Sequence, residues 1–214
     1  MRSPSPVWHR PAVQARSRAT LDRILAAAAA VLEEKGFHEL TIPDVTARAG
    51  CAVGTFYRRF PDKQALLEKL FETFERDAAE ELAGVAGAMA DPTVSLRRVV
   101  YLTVRGLVDF YRARGGLIRA LQIGSETEPS FEERASRVQA ALSELFERAL
   151  RMRRRAFAAR DPRGAADFAV WMMLGVLNQQ LAFAPMRVAL SDTRLVAHLE
   201  RAVLGYLGSK EGSS

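Results

Sequence analysis

Apolar residues recur at the spacing of an α-helix along nearly the whole chain, whereas the period-two alternation typical of half-buried strands is almost absent. The first clear stripe follows the pattern i, i+3, i+4, i+7 and comprises Leu21, Ile24, Leu25, Ala28, Val31 and Leu32. Glycine and proline interrupt the pattern at Gly115-Gly116, Pro129, Pro162 and Pro185. The sequence therefore predicts an all-α protein of about nine helices.

These interruptions also predict the boundaries of the helices and domains. The first helix ends at Lys35-Gly36, two short helices follow within residues 41–60, and a fourth begins after Asp62. Later helical segments cover about residues 95–114, 117–124, 129–159, 164–184 and 192–207. We expect a disordered basic arm at 1–17, a first domain at 18–78, a second domain at 79–208 and a disordered tail at 209–214.

The composition is that of a globular protein: 49% of the 214 residues are hydrophobic and 26% are charged. No apolar run reaches the roughly 18 residues of a membrane helix, and the N-terminus lacks the apolar core of a signal peptide. The single cysteine, Cys51, excludes a disulfide framework. We therefore expect a cytoplasmic protein.

Positive charge is concentrated at the N-terminal end of the chain. Residues 1–60 hold nine Lys or Arg against five Asp or Glu, and no acidic residue precedes Asp22. Such asymmetry is typical of a segment that binds an anionic partner such as nucleic acid. An arginine-rich composition, with 27 Arg and four Lys, is the alternative explanation.

Residues 41–60, TIPDVTARAGCAVGTFYRRF, predict two short helices joined by a turn at Gly50. The second helix of such a helix-turn-helix fits the ~12 Å-wide major groove of DNA. The predicted inward-facing residues are Val45, Ala49, Phe56 and Phe60. The predicted surface residues are Val53, Gly54, Thr55, Tyr57, Arg58 and Arg59. From the residues alone, this polar surface is consistent either with DNA contact or with the solvated face of a small helical domain.

The motifs KGF, T-x-x-D-V, AG and GTFYRRFPDKQALL follow one another within about residues 18–78. This segment resembles the N-terminal domain of tetracycline-repressor-like (TetR family) transcriptional regulators. The resemblance implies a bacterial regulator that binds a palindromic double-stranded DNA operator as a homodimer, represses transcription and is released by a small hydrophobic or aromatic ligand. A ligand-independent or activating transcription factor of the same fold is the alternative. No cofactor is expected.

The resemblance also implies DNA contacts at particular positions of this chain. Thr41, Thr55, Tyr57 and Lys63 match residues that contact phosphate, whereas Val53, Gly54 and Arg59 match residues that face base edges or their flanks. The complete expected set is Arg16, Arg18, Thr41, Val53, Gly54, Thr55, Tyr57, Arg58, Arg59 and Lys63.

Two residues depart from the family's pattern. Ala52 stands where a capping Ser is usual, which gives up a helix cap worth roughly 0.5–2 kcal/mol. Val53 stands where Lys or Arg is common, and an apolar side chain there can contact a thymine methyl group but cannot read guanine.

In the family, the C-terminal helices form a dimer interface and a ligand pocket. Residues 164–184 are apolar nearly all round, which fits a dimer interface or, alternatively, an internal helix of a monomer. The expected interface residues are Phe168, Gly175, Val176, Phe183, Leu195, Leu199 and Val203. The candidate pocket residues are Tyr101, Phe110, Tyr111, Gln122, Phe131, Phe146, Trp171, Met172, Asn178 and Gln179.

Other readings of the sequence have little to support them. The three histidines are not paired at metal-binding spacing, and no phosphate-binding loop or nucleophile motif occurs. We therefore expect no enzymatic activity and no metal site. The arginine run Arg151, Arg153, Arg154, Arg155 predicts either an anion site or the solvated end of a long helix.

Overall fold

The computed structural model describes residues 10–125, 129–182 and 194–209. Within them the chain forms eight α-helices and no strand, so the predicted all-α class is confirmed. The helices are α1 (Arg10–Lys35), α2 (Ile42–Ala49), α3 (Val53–Tyr57), α4 (Lys63–Ala90), α5 (Leu96–Ser125), α6 (Pro129–Met152), α7 (Pro162–Ala182) and α8 (Arg194–Leu207).

The chain divides into two compact units, Met1–Glu72 and Thr73–Ser214, called the N-terminal unit and the C-terminal unit below. This division falls six residues before the predicted domain boundary at 78. Within the described part of the chain, no helix has the length and apolar character needed to cross a membrane.

Helix α1 begins earlier than the sequence analysis predicted. Residues 10–17 are helical in the structure, although they belong to the segment 1–17 that was expected to be disordered. Pro11 lies in the first turn, where its missing N–H costs little, and Ala12, Gln14 and Ala15 are good helix formers. Residues 1–9 lie outside the described residues, as do residues 210–214 of the predicted tail.

In the N-terminal unit, the apolar stripe of α1 has buried residues, and this helix packs against α2. Helix α2 in turn packs on α3. The four residues predicted to face inward are buried, with exposed fractions between 0% and 6%: Val45, Ala49, Phe56 and Phe60. Their burial holds the helix-turn-helix against α1.

In the C-terminal unit, α5 packs against α6, α7 and α8. The break predicted at Gly115-Gly116 is a kink within α5, because Arg114 has non-helical dihedrals (φ −134°, ψ 23°) while the helix continues to Ser125. A Cβ at Gly115 would lie 3.0 Å from Leu181 Cδ2, so the glycine permits close packing on α7. This kink accounts for eight observed helices where nine were expected.

Helix α6 ends at Met152, seven residues before the predicted end at 159, and the arginine run after it is not simply solvated. The side chain of Arg153 is only 6% exposed, and its guanidinium donates to backbone carbonyl oxygens near the end of α4. Both explanations offered for the run are therefore wrong for Arg153, which has a structural role. Arg151, Arg154 and Arg155 are exposed.

Candidate functional site

The start of α2 is fixed by hydrogen bonds around Thr41 and Asp44. The backbone N–H of Asp44 donates to Thr41 Oγ1 (3.3 Å), and the Thr41 hydroxyl donates to Asp44 Oδ2 (2.7 Å). Lys35 Nζ lies 2.9 Å from Asp44 Oδ1. The hydrogen bonds from Thr41 and Lys35 lower the pKa of Asp44. These contacts tie the beginning of α2 to the end of α1.

The turn between the two helices depends on Gly50. This residue caps α2 in the left-handed region (φ 63°, ψ 42°), and its N–H donates to the carbonyl oxygen of Ala47. A side chain would be strained in this conformation. Gly50 therefore sets the angle at which the chain enters α3.

Helix α3 is anchored by one side and presents the other to solvent. Phe56 is completely buried, whereas Val53 and Tyr57 are 45% and 54% exposed. A Cβ at Gly54 would meet no atom within 4 Å. As expected from Ala52, no side chain caps the start of this helix. The outer face of α3 is therefore open to a partner.

Two arginines follow α3, and their guanidinium groups are held in place by hydroxyl groups. Arg58 Nη2 donates to Thr55 Oγ1 (3.1 Å), and Arg59 Nη2 donates to Ser17 Oγ on α1 (3.2 Å). The pairing with Ser17 places Arg59 beside the stretch of α1 that carries Arg16 and Arg18.

Lys63, at the start of α4, is half-buried and bound to the turn after α1. Its Nζ donates to the Phe37 carbonyl oxygen (3.0 Å) and lies 5.4 Å from the centre of the Phe37 ring. Burial lowers the pKa of Lys63. An ammonium group has three donors, so two remain for another acceptor after the bond to Phe37.

All ten residues expected to contact DNA lie in the N-terminal unit. Those with exposed side chains, or with no side chain in the case of glycine, are Arg16, Arg18, Thr41, Val53, Gly54, Tyr57 and Arg58. Those that are half-buried are Thr55, Arg59 and Lys63.

The C-terminal unit contains a cavity of about 390 Å³ between α4, α5, α6 and α7. Its buried walls are apolar and aromatic, with Phe74 and Phe110 side by side at 5.3 Å between ring centres. The Tyr111 hydroxyl donates to Asn178 Oδ1 (2.6 Å), and burial raises the pKa of Tyr111. The size and lining are typical of small-molecule sites.

Four of the ten candidate pocket residues line this cavity: Phe110, Tyr111, Gln122 and Asn178. The other six do not. Phe131 and Phe146 are completely buried core residues, and Tyr101 is half-buried, with Arg98 stacked on its ring. Trp171 and Gln179 are exposed and Met172 is half-buried, away from the lining.

Sequence reasoning missed two acidic residues of the lining, Glu81 on α4 and Glu132 on α6. Glu80-Glu81 had the appearance of ordinary helix-face charge. The signal was nevertheless present, because Glu81 shares the helical spacing of its cavity-lining neighbours Phe74, Ala78 and Val85.

An exposed aromatic cluster lies on α7 and α8. The ring centre of Phe168 is 5.8 Å from that of Trp171 and 4.8 Å from that of Tyr206. These three side chains are 46%, 63% and 41% exposed, respectively. The cluster is an apolar surface of the kind found at protein interfaces.

In the structure, some of the expected dimer-interface residues are exposed and others are buried within the chain. Phe168 and Val176 are exposed, and Gly175 has open space beside it. Leu195, Leu199 and Val203 are buried within the chain because α8 packs its apolar stripe on α5 and α7, so their assignment to a surface is wrong. Phe183 lies outside the described residues.

Comparison with protein families identifies the class of this protein. Residues 24–70 match the family described as bacterial regulatory proteins, tetR family, and residues 95–207 match the tetracyclin repressor-like C-terminal domain. The chain therefore belongs to the TetR family of transcriptional regulators, and its helix-turn-helix is a DNA-binding element.

Two curated relatives agree with this assignment. The HTH-type transcriptional regulator EthR of Mycolicibacterium smegmatis is 28% identical over 184 residues, which cover 80% of this chain and 82% of EthR. The uncharacterized HTH-type transcriptional regulator YvdT of Bacillus subtilis is 36% identical over 63 residues, covering 29% of this chain and 32% of YvdT.

Solved structures share the fold. A TetR transcription regulator of Haloarcula marismortui has a TM-score of 0.71 at 14% identity, covering 89% of this chain and 97% of that protein. A protein described as a transcriptional regulator of Saccharomonospora viridis, in complex with choline, has a TM-score of 0.73 at 16% identity, covering 88% and 95%. At these identities the likeness concerns the fold alone.

Proposed function

We propose that this regulator is a cytoplasmic homodimeric repressor that binds a palindromic operator and leaves it when a small molecule occupies the cavity of the C-terminal unit. The observation that carries the DNA-binding part is the open outer face of α3, where Val53, Gly54 and Tyr57 are uncovered while Phe56 anchors the helix. A helix presented in this way can enter a major groove.

The residues around α3 suit the two kinds of contact that sequence-specific binding requires. Tyr57, Arg58 and Lys63 carry hydroxyl or cationic groups that can donate to phosphate oxygens. Val53 is an exposed apolar side chain that can pack on a thymine methyl group. We therefore expect Val53 to favour operators that have an A·T pair at the position it contacts.

The dimer is supported by the exposed aromatic cluster of Phe168, Trp171 and Tyr206. A twofold axis at this surface would bury three aromatic side chains that the described part of the chain leaves open. It would also give two recognition helices, which read half-sites about 34–36 Å apart.

A response of DNA binding to a ligand is supported by the positions of residues along α4. This helix carries Lys63 at its first residue, and Phe74, Ala78 and Val85 of the same helix line the cavity. A ligand that shifts α4 would change the placement of Lys63. A coupling of ~1–3 kcal/mol would lower operator affinity about 5- to 150-fold.

The DNA-binding part is tested with the double variant Tyr57→Phe, Lys63→Ala and a duplex selected from a random pool. Since both side chains are assigned to phosphate, the variant should bind all sequences more weakly. The slope of log affinity against log salt should fall by about 1 for the lost lysine contact.

The matched control is Lys69→Ala, which removes the same charge from the same helix at a half-buried lysine paired with Glu72. Thermal unfolding of both variants shows whether loss of the Lys63–Phe37 bond destabilises the fold. Wild-type affinity and salt slope in the double variant would refute the assigned contacts. A ligand-independent factor of the same fold predicts the same DNA result but no ligand effect on operator affinity, whereas an activating factor would raise transcription from the operator.

A further inference from the structure

The described charged residues that line the cavity of the C-terminal unit are acidic, although the chain as a whole is basic. Among the described residues, the cavity lining contains two carboxylates, Glu81 and Glu132, and no Lys, Arg or His. The whole chain carries 31 Lys or Arg and a net charge of +6. A cavity whose described charged lining groups are all acidic disfavours an anionic ligand.

Four arginines of α4, α5 and α6 are paired with acids other than these two carboxylates. Glu81 and Glu132 form no ion pair with a described residue, whereas four arginines share three other acids, Glu75, Asp77 and Glu80. The pairs are Arg76 with Asp77 and Glu80, Arg114 with Asp77, and Arg134 and Arg137 with Glu75. These four arginines exceed their three acids by one charge, but no described cation is paired with Glu81 or Glu132, so both carboxylates can pair with a ligand.

The charged and the apolar residues of the lining lie at different depths in the cavity. Glu81 and Glu132 are exposed and therefore lie at the solvent side of the lining, while Phe74, Phe110 and Leu121 are buried. The aromatic walls suit an apolar body and attract positive charge through their π faces. The Phe110 ring already has a guanidinium, that of Arg114, 4.8 Å from its centre, and that guanidinium is paired with Asp77, which it shares with Arg76.

We infer that the ligand of this cavity is an organic cation with an apolar or aromatic body, such as a protonated amine or a quaternary ammonium compound. Its apolar body lies against Phe74 and Phe110, and its positive charge lies toward Glu81 and Glu132. This inference rests on the proposed ligand response and specifies the chemical class of the ligand.

The test uses three probes of equal length and different charge: 4-phenylbutylamine, which is protonated at pH 7, 4-phenylbutanol and 4-phenylbutanoate. Calorimetry on the full chain should give affinities that decrease in the order amine, alcohol, carboxylate. The amine should bind about 2- to 30-fold more tightly than the alcohol, the range for two exposed ion pairs, and added salt should reduce this preference.

The double variant Glu81→Gln, Glu132→Gln should lose the preference for the amine and keep its affinity for the alcohol. The matched control is Glu133→Gln, Glu144→Gln, which removes two exposed carboxylates of α6 that form no ion pair with a described residue and do not line the cavity. This control should bind all three probes like the wild type.

The outcomes separate this inference from the proposed function. Equal or tighter binding of the alcohol or the carboxylate would overturn the cationic class while leaving the cavity as a ligand site. A preference for the amine that survives in the Glu81, Glu132 variant would overturn the assigned carboxylates. Failure of all three probes to bind would overturn both the ligand class and the ligand response, and would leave DNA binding unaffected.

Discussion

The guanidinium of Arg153 donates to five backbone carbonyl oxygens, three near the ends of α4 and α6 and two in the loop between α4 and α5. Its acceptors are the carbonyl oxygens of Ala88, Met89, Asp91, Val94 and Ala149. The last carbonyl groups of a helix have no partner within the helix. One side chain therefore satisfies the end of α4 and the loop that leads to α5.

Replacement of Arg153 by Met should destabilise the protein by roughly 1–3 kcal/mol, because buried carbonyl groups lose their donors. Urea unfolding followed by circular dichroism measures the change. The control is Arg155→Met, which removes an exposed arginine two residues further along. Equal stability of the two variants would show that Arg153 is not a structural residue.

Single residues were also where sequence reasoning was least complete. Four neighbouring arginines look alike in the sequence, and only the three-dimensional path of the chain decides which one meets the end of α4. In contrast, the consequence of Ala52 could be predicted, because a helix cap depends on one residue and the helix that follows it. Val53 and Tyr57 were likewise predicted to be on the surface from helical spacing.

Helix α3 has only five residues and begins without a side-chain cap. Ala52 has the extended dihedrals of an N-cap residue (φ −70°, ψ 148°) and is exposed, so a serine hydroxyl can replace its methyl hydrogen without a clash. We expect Ala52→Ser to stabilise the N-terminal unit by about 1 kcal/mol.

Thermal unfolding of Ala52→Ser against the wild type checks this prediction. Ala47→Ser is the control, since Ala47 is exposed inside α2, where a serine has no free helix end to cap and lowers helix propensity. A midpoint for Ala52→Ser at or below the wild-type value would contradict the capping argument.

At the level of helices, the sequence predicted the all-α class and the order of the helices, except that it divided α5 into two. Amphipathic spacing depends on local periodicity, so the stripe of α1 could be predicted, and the start of α4 followed from Asp62. The kink in α5 was read as a gap because the contact between Gly115 and Leu181 joins residues far apart in sequence. For the same reason Leu195 and Leu199, which pack within the chain, could not be told from interface residues.

For the whole molecule, the aromatic cluster predicts the oligomeric state. Trp171→Glu should give a folded monomer at micromolar concentration, because a carboxylate in the proposed interface would be buried without a partner. Light scattering measures the mass. The operator affinity of this variant should fall, since each recognition helix would bind its half-site alone.

The control is Gln179→Glu, which adds the same charge at an exposed polar position of the same helix and should stay dimeric. A dimeric mass for Trp171→Glu at micromolar concentration would rule out the cluster as the interface. The choice between interface and monomer core could not be made from the sequence, because α7 is apolar on several sides and periodicity alone does not show which side is covered.

The position of Cys51 gives a direct way to follow this protein in solution. It is the single cysteine of the chain, and it lies half-exposed in the turn that joins α2 and α3. A thiol-specific spin label would therefore attach only at the helix-turn-helix, and a homodimer would carry one pair of labels. Electron paramagnetic resonance would then report a single distance between the two DNA-binding elements. A change in this distance on ligand addition measures the response without any engineered cysteine.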